Sequence, residues 1–174
     1  MNQRSSAVQR EIRQTRGFRS RSQEATVALL RTASVVSRTL GRVVEPHGLS
    51  LAQYNALRIV RGAGRAGVAT LAVRERMIEE GTTITRILDK LEAAGLIRRK
   101  RSEPDRRQVL CYVTEKGGRL LTELDPKVDA ADEAAVAALG ATRTEDFVRM
   151  LDDIRRANAV SGAARSTAVR AGGR

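Results

Sequence analysis

The fold is decided by residues 82–113, TTITRILDKLEAAGLIRRKRSEPDRRQVLCYV. The first part has the three-four spacing of a helix with one buried face, formed by Ile84, Ile87, Leu88 and Leu91. Gly95 suits the left-handed position that follows a helix. The period then changes: residues 96–101 can extend as a strand, residues 108–113 are rich in β-forming residues, and Pro104-Asp105 between them favours a turn. The stretch therefore predicts a helix over residues 82–94 and a β-hairpin, here called the wing, over residues 96–113.

The sequence before this stretch predicts three further helices. Residues 22–45 carry an apolar face at helical spacing, which ends at Pro46-His47-Gly48. Ser50 and Gln53 form a capping box that opens a helix running to about Arg61, and residues 70–77 form a short helix. A winged helix-turn-helix has three helices followed by a hairpin. The sequence follows this order: the helix that begins at Ser50, the helix over residues 70–77, the helix over residues 82–94, and then the wing. Residues 48–117 are therefore the predicted DNA-binding core.

The sequence after the wing predicts two more helices. Thr114 can cap a helix over residues 114–139, which Pro126 should kink or split and Gly140 should end. A second capping box, Thr142-x-x-Glu145, opens a last helix that reaches residue 158.

These flanking helices, 22–45 and 114–158, carry more apolar face than a small winged domain needs. A second copy of the chain would bury the excess, so they are predicted to be dimerisation helices. The fold class is mainly α with a small β-hairpin wing, a winged helix-turn-helix with flanking dimerisation helices, over residues 22–158.

Both ends of the chain are basic. Residues 1–21 hold six arginines against Glu11, and we expect a mobile basic arm there, with a frayed helix as the alternative. Residues 159–174 are rich in glycine, alanine, serine and arginine, and we expect a flexible basic tail.

Composition narrows the function classes. The 174 residues include 32 Lys plus Arg and 20 Asp plus Glu, a net charge of +12, which favours nucleic acid as partner and an anionic membrane surface second. No run approaches the roughly 18 apolar residues of a membrane span. With two Phe, two Tyr and no Trp there is little to stack on single-stranded bases, so double-stranded DNA is favoured.

The scarcity of histidine and cysteine argues against an enzyme. One His and one Cys leave poor material for nucleophilic catalysis or for a zinc site, so we expect no catalytic residues, no metal and no cofactor. A single cysteine suits the reducing cytoplasm, and Cys111, in a wing strand, is interpreted as a core residue rather than a sensor.

The candidate DNA-binding residues lie on the exposed face of the helix over residues 82–94 and on the wing. A major groove admits one helix, and small hydroxyls followed by an arginine suit base edges and phosphates. The wing carries six cations against two acids over residues 96–107, and Asp105 can orient the arginine two positions on. The candidates are Thr82, Thr83, Thr85, Arg86, Lys90, Arg98, Arg101, Asp105, Arg106 and Arg107.

Three segments resemble the MarR family of bacterial transcription regulators. They are residues 48–54 (GLSLAQY), residues 83–97 (TITRILDKLEAAGLI), and residues 103–107 (EPDRR) with residues 113–117 (VTEKG). The resemblance implies a homodimer whose recognition helices enter successive major grooves and whose wings enter flanking minor grooves. It also implies a repressor of a pseudo-palindromic operator that a small aromatic or anionic ligand releases. That effector would lie between the first, second and fifth helices, with Arg42, His47 and Tyr54 as candidate contacts.

Other interpretations stay open from the sequence. A non-specific architectural or nucleoid protein would also use the basic ends, because each phosphate contact adds affinity without sequence information. A winged helix that binds only protein is a further alternative, which the basic wing argues against. A regulator without an effector is another.

Overall fold

The structure is a computed structural model that describes residues 6–79, 83–103 and 105–171, with side chains as far as Ala159. The chain divides into two compact units after Ala131. In the first unit lie the helices α1 (Ala7–Glu11), α2 (Arg21–Val44), α3 (Leu51–Gly62), α4 (Thr70–Glu75) and α5 (Ile84–Ala93), and most of α6 (Glu115–Val136). The second unit holds the end of α6 and α7 (Gly140–Ala171).

Three strands form one antiparallel sheet in the order β1-β3-β2, with β1 at Val68–Ala69, β2 at Ile97–Arg101 and β3 at Val109–Val113. The predicted hairpin is therefore confirmed. Strand β1 was not predicted, because two residues are too short to show a strand period. It pairs with β3 through Val68 opposite Cys111.

Local capping sets the ends of several helices as predicted. The Ser50 hydroxyl accepts the backbone N–H of Gln53 (3.2 Å), and the Gln53 side chain accepts the backbone N–H of Ser50 (2.9 Å), which completes the capping box of α3. Gly48 (φ 75°) and Gly95 (φ 69°) adopt the left-handed conformation after α2 and α5. Thr114 caps α6, since its hydroxyl accepts the backbone N–H of Gly117 at 3.1 Å.

The core of the first unit lies under α5. Leu88 and Leu91 are fully buried, and Ile84 and Ile87 are nearly so, which confirms the predicted stripe. The other fully buried large side chains come from α2, α3, α4, the sheet and α6: Val44, Leu57, Val60, Val73, Ile97, Cys111, Leu121 and Leu124.

The start of α6 packs very closely on the turn between α5 and β2. A Cβ atom at Gly117 would lie 2.2 Å from the backbone oxygen of Leu96, whereas one at Gly118 would meet nothing within 4 Å. Farther along α6, Asp125 forms a two-point ion pair with Arg61 of α3 (2.7 and 3.1 Å). These contacts tie α6 to the helix-turn-helix.

The last helices differ from expectation in two details. Of the two effects expected of Pro126, a split does not occur, because α6 continues to Val136, whereas a kink stays a prediction. Proline removes one helical hydrogen bond, but Leu124 and Val128 on either side of it are buried, and tertiary packing outweighs the local cost. Thr142 is not an N-cap, because α7 begins at Gly140, directly after a 3-10 turn over Ala137–Leu139, and Thr142 lies inside its first turn.

Both ends of the described chain contain helix. Within the basic arm, α1 forms with Ser6 as its N-cap and packs on α2, where Glu11 and Arg31 form an ion pair at 3.5 Å. The mobility of the arm as a whole stays a prediction. The first five residues of the arm lie outside the described residues. Helix α7 continues to Ala171, and the flexibility of the tail stays a prediction.

Candidate nucleic-acid interface

The exposed face of α5 carries the predicted hydroxyl and basic side chains. Thr85, Arg86 and Lys90 are exposed, opposite the buried stripe. Thr83 is exposed at the N-cap position, and its side chain makes no capping hydrogen bond. Thr82 lies outside the described residues. The helix therefore presents a polar, cationic surface that is held in place from behind by the core.

A cleft of about 480 Å³ lies between α4, the start of α5 and the wing. It brings together Thr85 of α5 and Arg107 of the wing, two candidates that are 22 positions apart in the sequence. The cleft also contains Arg74 of α4, which sequence analysis missed. A usable signal existed, since the first helix of a helix-turn-helix crosses the DNA backbone and an exposed cation there can reach a phosphate.

Asp105 organises the wing tip through its carboxylate. Oδ1 accepts the backbone N–H of Arg107 at 3.1 Å, and Oδ2 accepts the side-chain amide of Gln108 at 3.0 Å. The acid thus engages the residue two positions on, as expected, and it does so through the backbone N–H of Arg107. It fixes the turn from which Arg107 projects.

The remaining wing candidates divide between two places. Arg101 and Arg106 line a concavity of about 290 Å³ at the tip, beside Glu103. Arg98 lies on the outer face of the sheet, with its guanidinium 4.5 Å from the centre of the Tyr112 ring. Side chains alternate across a strand, so Arg98 points away from the face that packs on α5 and is not brought together with the cleft residues.

The three candidate ligand contacts do not converge. His47 lines a cavity of about 470 Å³ with Leu96, Leu120, Lys116 and Arg119. Arg42 and Tyr54 do not line it: Arg42 is exposed on α2, and Tyr54 is buried in the core, where burial raises the pKa of its phenol. The basic side chains at the start of α6 were not found from the sequence, because no local pattern marks the packing of α6 beside the α2–α3 turn.

His47 itself is held between two charged side chains of α6. Its Nδ1 lies 3.6 Å from a Glu123 carboxylate oxygen, and its Nε2 lies 3.2 Å from Lys127 Nζ. Lys116 donates to the backbone oxygen of Ala94 at 2.8 Å, near the C-terminal end of α5. The cavity therefore contains two cations, Lys116 and Arg119, and one carboxylate, Glu123, and it is connected to the last turn of α5.

Other kinds of site find little support. Over the described ranges, no three His, Cys, Asp or Glu side chains come close enough to hold a metal ion. No helix in the described part of the chain is both long and apolar enough to span a bilayer. Cys111 is buried in the sheet, and burial raises the pKa of its thiol.

Comparison with known proteins agrees with this architecture. The sequence model of the MarR family matches residues 49–109. The HTH-type transcriptional repressor Mb2911 of Mycobacterium bovis is 28% identical over 126 residues, 72% of this chain and 89% of that protein.

Two solved structures extend the match over most of the chain. The MarR transcription factor of Planctomyces limnophilus is 32% identical with a TM-score of 0.60, covering 78% of this chain and 98% of that one. CouR of Rhodococcus jostii RHA1, solved bound to p-coumaroyl-CoA, is 26% identical with a TM-score of 0.68, covering 79% of this chain and 95% of that one. With its buried α5 stripe and basic wing, the chain belongs to the MarR family of transcriptional regulators.

Proposed function

We propose that the protein binds a pseudo-palindromic operator in double-stranded DNA as a homodimer and represses transcription by occupying it. One observation carries the proposal: the cleft that joins Thr85 of α5, Arg74 of α4 and Arg107 of the wing. Hydroxyl and guanidinium donors on three elements converge there, as expected of a surface that holds a helix in a major groove.

Each element has a distinct role in this proposal. The exposed face of α5 enters the major groove, where Arg86 can donate two hydrogen bonds to a guanine. Arg74 contacts a phosphate from α4. Arg107, with Arg106 and Arg101 behind it, reaches the adjacent minor groove, where narrow A·T tracts concentrate negative potential.

Dimerisation is supported by apolar side chains that face solvent in the single chain. On α2, Leu30 is 66% exposed and Val35 is 43% exposed. On α7, in the second unit, Val148, Met150 and Ile154 are exposed. A symmetric partner that covers such residues would place two recognition helices on half-sites about one helical turn, roughly 34–36 Å, apart.

The effector that we propose is a small organic anion bound in the cavity beside His47. Lys116 and Arg119 supply the positive charge, against the Glu123 carboxylate in the same lining, and Leu96 and Leu120 supply an apolar wall. Arg119 is also paired with Glu115, so an anion would have to compete with that carboxylate. An anion that draws Lys116 away from the Ala94 carbonyl would disturb the end of α5, which offers a route from ligand to DNA. CouR, a relative in fold, binds the much larger anion p-coumaroyl-CoA, so an organic anion as ligand has a precedent in a similar structure.

The proposal is tested by selecting duplexes from a random library with the purified protein and sequencing them. We expect an inverted repeat whose half-sites are separated by about one helical turn. Arg107→Ala should weaken binding to the selected duplex by about tenfold or more, while Arg65→Ala, which removes an exposed arginine from the turn before β1, serves as control. Enrichment of no motif would contradict the proposal and favour the architectural protein.

A further inference from the structure

Arg99, one of the six cations of the wing, is engaged with the recognition helix. Its Nη2 lies 2.6 Å from Asp89 Oδ1 and 2.6 Å from Glu92 Oε2. Its Nε donates to Glu92 at 2.8 Å, and its backbone N–H donates to the other Glu92 oxygen at 3.0 Å. Four short contacts therefore connect β2 with the middle and the end of α5.

The two carboxylates occupy a sensitive place on α5. Asp89 follows Arg86 by three positions and Thr85 by four, so it shares their side of the helix. Unpaired acids there would repel the phosphates that the same surface must approach. The guanidinium fork of Arg99 spans both acids, which a lysine ammonium cannot do with the same geometry.

The other ion pair of this strand is of a different kind. Lys100 and Glu103 are 59% and 82% exposed, and a solvated pair of this type fixes little. The Arg99 side chain is only 24% exposed, and its partners Asp89 and Glu92 are 53% and 38% exposed, so the cation is the sheltered member of this cluster. Hydrogen bonding to Glu92 raises the pKa of Arg99, and the same bond lowers the pKa of Glu92.

We propose that Arg99 is a positioning residue for DNA binding: it holds α5 against the wing and masks Asp89 and Glu92, and it does not contact DNA. The inference rests on the proposed function, since it names how the DNA-binding surface is prepared. It reduces the number of wing cations available to phosphates, and it assigns Asp89 and Glu92 a role in the orientation of the helix.

The test measures the dissociation constant of Arg99→Gln for the selected duplex over a range of salt concentrations. A cation that touches a phosphate contributes about 0.9 to the slope of log K against log salt. We expect Arg99→Gln to bind about tenfold more weakly with an unchanged slope. Asp89→Asn with Glu92→Gln, added to Arg99→Gln, should recover part of that loss because no acid then faces the DNA.

Two controls keep the result interpretable. Arg65→Gln removes the same charge elsewhere and should leave the affinity within about twofold. Arg99→Lys keeps the charge but loses the fork, so it should also weaken binding; this variant, with circular dichroism, covers the case in which Arg99→Gln does not fold.

Two outcomes would overturn the inference. One is a slope that falls by about 0.9 in Arg99→Gln together with full affinity in Arg99→Lys, which would place the guanidinium on a phosphate. The other is full affinity in both variants. Failure of the proposed function is distinguishable, because it would appear in the wild-type protein as equal affinity for selected and shuffled duplexes.

Discussion

Replacing Asp105 separates wing geometry from net charge, because the two make opposite predictions. Asp105→Ala raises the formal net charge from +12 to +13 and removes an acid from the wing tip. If general electrostatic attraction dominated, DNA binding would tighten. If the wing acts through its shape, the loss of the two hydrogen bonds from the Asp105 carboxylate must weaken binding.

The expected magnitude follows from the contacts that are lost. The bonds to the Arg107 N–H (3.1 Å) and to the Gln108 side chain (3.0 Å) disappear in Asp105→Ala, while the backbone bond from Gln108 to Asp105 (2.9 Å) remains. Each hydrogen bond contributes about 0.5–1.5 kcal/mol, so the free energy that stabilises the ordered conformation of the tip falls by about 1–3 kcal/mol. If DNA binding must restore that order, the dissociation constant rises roughly 5- to 150-fold.

Fluorescence anisotropy with a labelled operator duplex measures this change directly. Asp105→Asn is the matched control, since it makes the same charge change but keeps an oxygen that can accept the Arg107 N–H, and it should bind between wild type and Asp105→Ala. Both variants should fold, because the tip lies outside the core, and the free energy of unfolding of Asp105→Ala should fall by no more than about the same 1–3 kcal/mol. Binding by Asp105→Ala that equals or exceeds that of the wild type would refute the reasoning.

Three further predictions concern stability and reactivity. Gly117→Ala should lower the free energy of unfolding in urea by about 1–3 kcal/mol, because the added Cβ would lie 2.2 Å from a backbone oxygen. Gly118→Ala, the control, should be neutral or stabilising because its Cβ meets nothing. Equal effects of the two substitutions would argue against the packing described. Cys111 should react with a thiol reagent only upon unfolding, since burial raises the pKa of its thiol, and fast native labelling would contradict its core position. The pKa of Glu92 is lowered from 4.5 by its guanidinium partner, so its contribution to stability is complete above pH 4.5 and declines as the pH falls through the lowered value. Glu92→Gln should therefore flatten the acid side of the stability curve, and parallel curves would contradict this.

The parts of the fold that were predictable depend on local chemistry. The stripe of α5 follows from helical spacing, and the wing follows from a change of period after Gly95 and from turn-forming residues at Pro104-Asp105. The capping box of Ser50 and Gln53 is a contact between residues three apart, so the sequence contains all of it. Local propensity alone would allow α6 to end at Pro126. The helix continues because Leu124 and Val128, on either side of the proline, are buried in the core.

The site was predictable in its residue types and less so in its pairings. Thr85 and Arg107 can be named from the sequence. The position of Arg74 on the first helix of the helix-turn-helix marks it only as a phosphate contact, and its place beside Thr85 and Arg107 depends on how α4 packs against α5. In the sequence, Arg99 is one of six wing cations. Only the return of β2 along α5 shows that Asp89 and Glu92 bind it, and no pattern in the sequence specifies that register.

Recognition of a particular DNA sequence by this surface is the central claim. The most direct test is the ratio of dissociation constants for the selected operator and for a shuffled duplex of the same composition, measured at about physiological salt. We expect the operator to bind at least about 10³-fold more tightly. A ratio near one would contradict the claim, because binding would then come from the charge of the protein alone.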